Sequence, residues 1–514
     1  MNEQLKKLWV CVMTVALLAS GILVYPHSVR ATQPVAKQTT AKQPNIVFIL
    51  ADDLDELTMP YWEAMPQTAS LLRDQGIYFK QSFSPTPICC PARSTILTGK
   101  LGHNTGVLNN SGQYGGWEAF VANDNETKTV AVYLQSAGYR TGLIGKYLNG
   151  IENDPLHIPQ GWSEWYGFVD NASYAGYNYQ VNENGTLVKY GTAESDYATD
   201  VVAGKATDFI KRAEANDAQP FFLYVSPTAP HLPLPPAPRH KNHAYKHAFS
   251  PRKPNYNEPL LADKSSWLKA TGDARAKQVD VWNDIDYRNR MGSLLALDDL
   301  VASVVQTLKD KGEYENTLLV FGSDNGYNLG AHRLLHKMAP YEESVRVPLV
   351  IAGPGIVPHT EERMVLEADY APTFLELAGV AIPADMDGRS LVPLFSDSAP
   401  ESWRKDLIAQ YLSTGDAAGG VGKEMPKGYE WLTSLQDIPS YKALRTTEYT
   451  YIEWYTDDAY NGRHEFELYD LRRDSYQQFN LLSTPQGKAQ YQSLVNQFRQ
   501  RLTQLETCRG AGCQ

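Results

Sequence analysis

Two adjacent cysteines begin the segment of this 514-residue chain that is most able to do chemistry. Cys89 and Cys90 precede Pro91, and Arg93 follows one helical turn after Cys89. Proline favours the first turn of a helix, so we predict that a loop enters a helix at Pro91. Residues four apart face each other, which places the Arg93 guanidinium beside Cys89. Helix N–H groups attract anions. The segment is therefore a candidate anion site, although buried free cysteines are often only small hydrophobes.

A pair of carboxylates marks a second place where chemistry could occur. The apolar run Asn45–Leu50 predicts a strand that is buried on both faces, and Asp52 and Asp53 follow it directly. Ligand sites in open α/β sheets lie at the carboxyl ends of the strands, where two carboxylates are well placed to hold a cation. The alternative is a turn in which an aspartate caps the next element.

The amino-acid sequence of these segments resembles that of the type I sulfatases. The core Cys89-x-Pro-x-Arg, its Leu97-Thr98-Gly99 ending and its place one helix after the Asp-Asp strand end carry the resemblance. Three further phrases are similar to the branch that contains N-acetylglucosamine-6-sulfatase and the heparan sulfate 6-O-endosulfatases: 145–149 (GKYLN), 158–162 (IPQGW) and 295–301 (LALDDLV). The resemblance implies an α/β, alkaline-phosphatase-like sandwich with a large mixed sheet flanked by helices, plus a small C-terminal antiparallel-sheet subdomain.

The resemblance also implies a nucleophile and a metal site. In that family the first cysteine is oxidised to Cα-formylglycine by a formylglycine-generating enzyme, so Cys89 is the modified residue and Arg93 bonds the hydrated aldehyde. The metal ligands by resemblance are Asp52, Asp53, Cys89, Asp324 and Asn325. Such an oxygen-rich set suits a hard divalent cation. Ca²⁺ is favoured because it tolerates irregular geometry, and Mg²⁺ remains the alternative.

Three more residues match the positions at which the family handles the sulfate. Lys146 and Lys337 correspond to its two sulfate lysines, and His231, after a predicted strand, corresponds to the histidine that meets the departing ester oxygen. His231 or Lys337 is the expected proton donor to the leaving group. The histidine that many sulfatases carry two places after the first lysine is absent here. His332 and Asn149 are therefore the neighbours to examine for the remaining proton transfer.

The composition and the residue pattern of each segment predict the domain layout of the chain. Residues 1–31 have the basic start, apolar core and small residues of a signal peptide, with a membrane anchor as the rival interpretation. We expect a polar linker at 32–43, the catalytic domain at 44–400 and a C-terminal subdomain at 401–514. An exported protein favours a disulfide between Cys508 and Cys513 over a reduced pair. We expect no stable membrane insertion.

The net charge of −11 argues against a nucleic-acid partner. A basic loop within 232–264 could attract sulfated glycans, although a solvated loop is at least as compatible with it. The expected substrate is a 6-O-sulfated N-acetylglucosamine or glucosamine. Arylsulfatase specificity, a phosphate or phosphonate monoesterase, and a non-catalytic protein that binds sulfated glycans are the alternatives.

Overall fold

The computed structural model describes residues 43–514 apart from 217–218, 271, 397–399, 401, 414–437, 456–459 and 461. The predicted signal peptide and all but the last residue of the predicted linker lie outside this range. The strands, in chain order, are β1 Asn45–Ala51, β2 Ile77–Phe79, β3 Ser82–Phe83, β4 Arg140–Gly145, β5 Glu164–Phe168, β6 Gln180–Glu183, β7 Thr186–Lys189, β8 Phe221–Ser226, β9 Thr317–Ser323, β10 Asn328–Leu329, β11 Leu335–His336, β12 Leu349–Ala352, β13 His359–Glu361, β14 Val365–Leu366, β15 Asp406–Tyr411, β16 Tyr441–Thr446, β17 Tyr449–Tyr455 and β18 Arg463–Asp470.

A ten-stranded mixed sheet forms the centre of the protein, in the order β13-β2-β12-β9-β1-β8-β4-β5-β6-β7. Strands β9, β1, β8, β4 and β5 are parallel, and β12 and β6 pair antiparallel at the two sides of this block. Because the five central strands run in one direction, their carboxyl ends meet at one edge. The fold prediction of a large mixed sheet is confirmed.

Alternate side chains of β1 enter two different cores, as the period of a strand requires. Val47 and Ile49 pack in one apolar cluster, and Phe48 and Leu50 pack in another. The helices Ala198–Ala213 and Gly272–Lys311 contribute to the first cluster, and Val130–Ser136 and Tyr370–Leu377 to the second. Helices therefore cover both faces of the sheet, which explains why β1 is apolar throughout.

The residue pattern predicts one long helix at 288–312, but the helix in the structure is Gly272–Lys311, which starts 16 residues earlier. The prediction of its start was wrong because residues 272–287 are polar on most positions and show no clear apolar stripe. Among the described residues this helix alone has the length and apolar composition to cross a membrane, but 72% of its most apolar window is buried within the protein. The remaining α-helices are Tyr61–Ala64, Pro66–Leu71, Cys89–Thr98, Gly102–Thr105, Gly116–Ala122, Ser266–Lys269, Glu342–Val345 and Pro485–Leu505.

A separate antiparallel sheet, β15-β16-β17-β18, lies near the C-terminus. Alternating residues predict antiparallel strands at 442–445, 449–452 and 467–471, which the structure shows as β16, β17 and β18. Strand β15 was not predicted, since it follows a Pro- and Ser-containing stretch with little periodicity. Pro485–Leu505 packs its apolar side chains, including Val495 and Leu502, into the same cluster as this sheet. Cys508 and Cys513 are joined as a disulfide just after that helix.

A buried ion pair links this small sheet to the segment that follows Lys337. The Arg445 guanidinium on β16 donates to both carboxylate oxygens of Glu342, at 2.8 and 3.1 Å. Burial by itself would raise the pKa of Glu342, but the nearby Arg445 charge lowers it below its ordinary value. The pair therefore stabilises the folded protein only while the carboxylate is ionised.

We expect Glu342→Gln to lower the free energy of unfolding at pH 7 by about 3 kcal/mol, because it leaves Arg445 buried without its counter-charge. A folded pKa below the unfolded value means that the contribution is complete above about pH 4.3 and is lost as the pH falls through the folded pKa. Melting temperatures measured from pH 7 to pH 3 should therefore converge for the two proteins. Glu362→Gln, at an exposed pair with Lys80, serves as the control and should follow the unsubstituted protein at every pH.

Candidate active site

The predicted site residues come together at the carboxyl edge of the central parallel strands. Strand β1 lies between β8 and β9, and β4 lies beside β8. Each strand delivers its polar residues at the same end: Asp52 and Asp53 from β1, Asp324 and Asn325 from β9, Lys146 from β4 and His231 from the loop after β8. The topology of the sheet thus assembles residues that are as far as 273 positions apart in the chain, from Asp52 to Asn325.

Cys89 is the first residue of the helix Cys89–Thr98, two positions earlier than the predicted start at Pro91. Its side chain is fully buried. The Lys337 Nζ lies 2.7 Å from the Cys89 Sγ, and the Asp52 Oδ1 lies 3.7 Å from it. The thiol therefore sits where a helix N-terminus, a lysine and a carboxylate meet, which is the environment expected of an anion-handling nucleophile.

The two lysines each contact one of the paired aspartates. Lys146 Nζ donates to Asp52 Oδ2 at 2.8 Å, and Lys337 Nζ donates to Asp53 Oδ1 at 2.6 Å. Gly145 makes this possible for Lys146, because a Cβ at Gly145 would lie 2.0 Å from the Ser226 carbonyl oxygen and its φ of +112° disfavours other residues. The chain can then turn sharply from β4 and aim Lys146 into the site.

The Arg93 guanidinium connects the ends of three strands of the central sheet. Its Nε donates to Asp324 Oδ2 at 2.8 Å, and its Nη1 donates to Ser226 Oγ at 2.7 Å and to the Lys146 carbonyl at 3.1 Å. Its Nη2 lies 3.7 Å from Asp52 Oδ2. The guanidinium thus holds two carboxylates from different strands. Arg93 lies on the Cys89 helix as predicted, and its hydrogen bonds join that helix to the ends of β4, β8 and β9.

His231 lies beside the same carboxylates. Its Nε2 is 3.5 Å from Asp53 Oδ2, and its Nδ1 contacts the Leu232 carbonyl, so the ring orientation is fixed from behind. The Tyr174 ring packs against it with centroids 4.3 Å apart. Sequence analysis did not identify Tyr174, because one tyrosine in a tyrosine-rich segment gives no separate signal.

The electrostatics of the site keep both aspartates ionised. Burial by itself would raise the pKa of Asp52, but Lys146, His231 and Arg93 reverse the shift and lower it. Burial likewise opposes the ionised form of Asp53, yet Lys337 and His231 bring its pKa down to about 2. At neutral pH the strand ends therefore present negative oxygens, as ligands of a hard cation must.

The donor set fits a divalent cation. Ligand atoms of Asp52, Asp53, Cys89 and His231 lie within 4.8 Å of one another. Asp324 adjoins them, since its Oδ1 accepts from the Asp53 N–H at 3.0 Å. Asn325 donates its Nδ2 to Asp53 Oδ1, while its buried Oδ1 has no hydrogen-bond partner among the described residues. A buried amide oxygen without a donor, beside ionised carboxylates, is suited to a metal.

Arg290 is a further residue at this site that the sequence did not reveal. It is fully buried on the long helix, donates to the carbonyls of Asp53 and Pro230, and stacks on Tyr327 with its Cζ 4.0 Å from the ring centroid. It therefore holds together the loops that carry Asp53 and His231. The available signal was an arginine at the start of an apolar helical run, four residues after Asp286, which alone indicates only a helix ion pair.

Two other candidates lie elsewhere or act indirectly. His332 is buried in a separate polar cluster, with its Nδ1 2.8 Å from Glu258 Oε2 and its ring against Tyr341. Asn149 lines a cleft beside Lys146, and its carbonyl accepts from the Trp117 N–H. The suggestion that His332 serves the reacting centre therefore stays a prediction.

Both arginines of the basic loop, Arg239 and Arg252, are paired with carboxylates. Arg239 pairs with Asp200 and Asp299, and the latter also accepts from His240. Arg252 pairs with Asp284 on the long helix. These contacts fit a solvated structural loop better than a free cationic surface.

Comparison with known families assigns this sequence to one class of enzyme. The model of the sulfatase family matches residues 44–380. The chain belongs to the sulfatase family, and it is a hydrolase of sulfuric esters.

Within the family, particular relatives are similar over most of the chain. N-acetylglucosamine-6-sulfatase of Capra hircus is 32% identical over 493 residues, which are 92% of this chain and 85% of the relative. The extracellular sulfatase SULF-1 homolog of Drosophila melanogaster is 37% identical over 406 residues, but these are only 36% of its length. The solved structure of BT4656 in complex with its substrate D-glucosamine-2-N,6-O-disulfate has a TM-score of 0.72 at 24% identity, and covers 90% of this chain and 98% of its own. The resemblance seen in the sequence is confirmed.

Proposed function

We propose that the protein releases sulfate from the 6-O-position of N-acetylglucosamine or glucosamine in sulfated glycans. The observation that carries this proposal is the position of Cys89, at a helix N-terminus and 2.7 Å from Lys337, beside the carboxylate cluster. The names of the N-acetylglucosamine-6-sulfatase relatives and of the ligand bound to BT4656 support the choice of sugar.

The catalytic machinery of this proposal uses the chain's own residues in defined roles. Cys89, converted to Cα-formylglycine by a formylglycine-generating enzyme, would react as the aldehyde hydrate: one hydroxyl would attack the sulfur as the S–O bond to the sugar breaks, and the second would then expel sulfate and restore the aldehyde. Lys146 and Lys337 offer ammonium groups to the sulfate oxygens, where negative charge increases as the ester bond breaks. His231, next to Asp53, donates a proton to the departing sugar oxygen. Arg93 keeps Asp52 and Asp324 at their present separation.

Ca²⁺ is the proposed cation, held by Asp52, Asp53, Asp324, Asn325 and the modified Cys89. When bound it would neutralise sulfate charge and polarise the nucleophile as a Lewis acid. Several carboxylates and one amide oxygen form an irregular set, which Ca²⁺ accepts more readily than Mg²⁺.

We expect Ca²⁺ to raise the melting temperature of the chelator-treated protein, because a ligand that binds only the folded state adds about 2.7 kcal/mol at 100 times its Kd. Thermal melts with Ca²⁺, with Mg²⁺ and with chelator alone measure this. Asn325→Ala removes the unpartnered amide oxygen and should reduce the Ca²⁺ response. Asn496→Ala changes an exposed asparagine on the helix Pro485–Leu505 and should leave the Ca²⁺ response unchanged. An equal response in both variants would contradict the ligand assignment.

A phosphonate monoesterase is the second candidate function. The phosphonate monoester hydrolase SpPMH from Silicibacter pomeroyi has a TM-score of 0.67 with this chain at 22% identity, so the same fold also occurs with that activity. Two rates measured under the same conditions decide between these functions. One is sulfate release from N-acetylglucosamine 6-sulfate, followed by ion chromatography, and the other is the hydrolysis of phenyl phosphonate. We expect sulfate release to exceed phosphonate hydrolysis at least about 100-fold in kcat/KM, equivalent to about 2.7 kcal/mol.

Export and the domain boundaries complete the proposal. The signal segment 1–31, the catalytic domain 44–400 and the C-terminal subdomain 401–514 remain predictions. The names of the extracellular sulfatase relatives support passage through an export pathway, as does the disulfide.

A further inference from the structure

A polar pocket lies where the small C-terminal sheet meets the segment that leads into β12. Its volume is about 260 Å³. One water molecule needs only about 10–15 Å³ of such space, so the pocket has room for a tetrahedral oxyanion together with several waters. None of the residues assigned to the active site is among the described residues that line it. Its charged lining residues are Arg346, Arg445, Arg472 and Glu342. We call it the arginine pocket.

Three arginines reach the arginine pocket from two different sheets. Arg346 precedes β12 of the central sheet, Arg445 lies on β16 and Arg472 follows β18. Arg445 is only 4% exposed and Glu342 only 3%. Because these two charged side chains are almost completely buried, their positions are fixed before any ligand binds. The arginine pocket is therefore a preorganised site and not a patch of mobile surface charges.

The lining of the arginine pocket carries more positive than negative charge. Its one carboxylate, Glu342, accepts from Arg445 with both oxygens, at 2.8 and 3.1 Å. The Arg346 Nε and Nη2 both donate to the Lys80 carbonyl, which holds this guanidinium in place. The Arg346 Nη1 lies 3.6 Å from Glu342 Oε2, which is longer than a hydrogen bond. The Nη1 group can therefore donate to a ligand.

Arg472 supplies the third positive charge, at the exposed side of the arginine pocket. It pairs with Asp470 at 2.8 Å and with Glu448 at 2.9 Å, and neither carboxylate is a described lining residue of the pocket. The Arg472 side chain is 48% exposed, so water screens these pairs and an anion can compete for the guanidinium. The hydroxyls of Thr447 and Ser475 also belong to the lining residues and offer further donors.

We propose that the arginine pocket binds a tetrahedral oxyanion of the sulfate class. Guanidinium groups form paired hydrogen bonds with two oxygens of such an anion, and the excess of positive charge favours an anion over a cation or an uncharged sugar. The source is either free sulfate or a second sulfate group on a polysulfated glycan, since both present the same oxygens. A bound anion contacts Arg346 and Arg472 together and so joins the small sheet to the segment before β12. This inference goes beyond the proposed function, because binding at the pocket needs no turnover.

Isothermal titration of sodium sulfate, with the ionic strength held constant by sodium chloride, measures this binding. We expect Arg472→Gln and Arg346→Gln each to weaken the Kd about 10-fold, because each removes one guanidinium from the pocket. Arg363→Gln is the matched control, since Arg363 also belongs to a partly exposed ion pair but is not a described lining residue. Its Kd should equal that of the unsubstituted protein. Arg472 is exposed, so the fold should survive its substitution.

The active centre also binds sulfate if sulfate is the product of the proposed reaction. The titration is therefore repeated with Lys337→Met. Sulfate binding that persists in this variant, and that Arg472→Gln weakens, belongs to the arginine pocket. Sodium selenate soaked into crystals of the unsubstituted protein gives a second readout, for which we expect an anomalous peak between the Arg346 and Arg472 guanidinium groups.

Kinetics identify the source of the anion. If it is a glycan sulfate, KM for a heparin-derived hexasaccharide rises about 10-fold in Arg472→Gln, while KM for N-acetylglucosamine 6-sulfate is unchanged. If it is free sulfate, the Kd of sulfate changes and both KM values stay the same. Equal sulfate affinity in Arg472→Gln, Arg346→Gln and Arg363→Gln, or the absence of a selenate peak from the pocket, would overturn the inference. An inactive enzyme that still bound sulfate at the arginine pocket would contradict the proposed reaction and leave this site in place.

Discussion

We expect Cys89→Ala to lower the rate of sulfate release to below about 10⁻⁴ of the rate of the unsubstituted protein. Covalent catalysis needs a nucleophilic atom at this position, and no other described side chain occupies it. The fold should persist, since alanine is accepted at a buried helix start and the removed thiol is small. Circular dichroism and a thermal melt measure the fold, and ion chromatography measures the sulfate.

Cys90 provides the matched control, since it is the neighbouring buried thiol. Its pKa is raised to about 12, mainly by burial, so it stays a neutral thiol. Cys90→Ala should retain activity within about 10-fold, at the cost of one small buried contact. Mass spectrometry of the peptide that contains both residues should show a loss of about 18 Da at Cys89 in the active enzyme. A full thiol at Cys89 in an active preparation would contradict the nucleophile assignment.

Arg93→Met lowers the free energy of unfolding by about 3–5 kcal/mol, the typical cost of removing one partner from a buried ion pair. Arg93 has no exposed surface, and its guanidinium meets both Asp324 and Asp52. Without it, two buried carboxylates face each other and the Cys89 helix loses its link to β4 and β9. Urea denaturation of the metal-free protein measures the change, and activity should fall with it.

Arg73→Met is the control for this substitution. Arg73 pairs with Asp74 at 2.8 Å, but the two side chains are 32% and 50% exposed. A solvated pair of this kind contributes at most about 1 kcal/mol. If both variants lost the same stability, burial would not be the reason that Arg93 matters. If added Ca²⁺ restored the full stability of Arg93→Met, the arginine would act mainly by neutralising the charge of the two aspartates, which the cation can also neutralise.

Local sequence alone determined the elements that carry the site. The apolar run 45–50 predicts a strand buried on both faces. Asn184-Gly185, between strand-like flanks, predicts a hairpin turn, which the structure places between β6 and β7. Pro91 predicted a helix that begins there, and the structure begins this helix two residues earlier, at Cys89. These predictions succeeded because each depends on hydrogen bonding and side-chain period within about ten neighbouring residues.

Tertiary structure decided which distant charges meet. Nothing local indicates that Arg93 bonds Asp324, because this pairing depends on the order of β9, β1, β8 and β4 in the sheet. The same holds for Arg290, whose helix contacts loops that follow two other strands, and for His332, whose side chain contacts Glu258. A periodic pattern specifies which face of an element is buried. Only the packing of whole layers specifies which buried charges become partners, since a charge removed from water must find its counterpart wherever the sheet brings one.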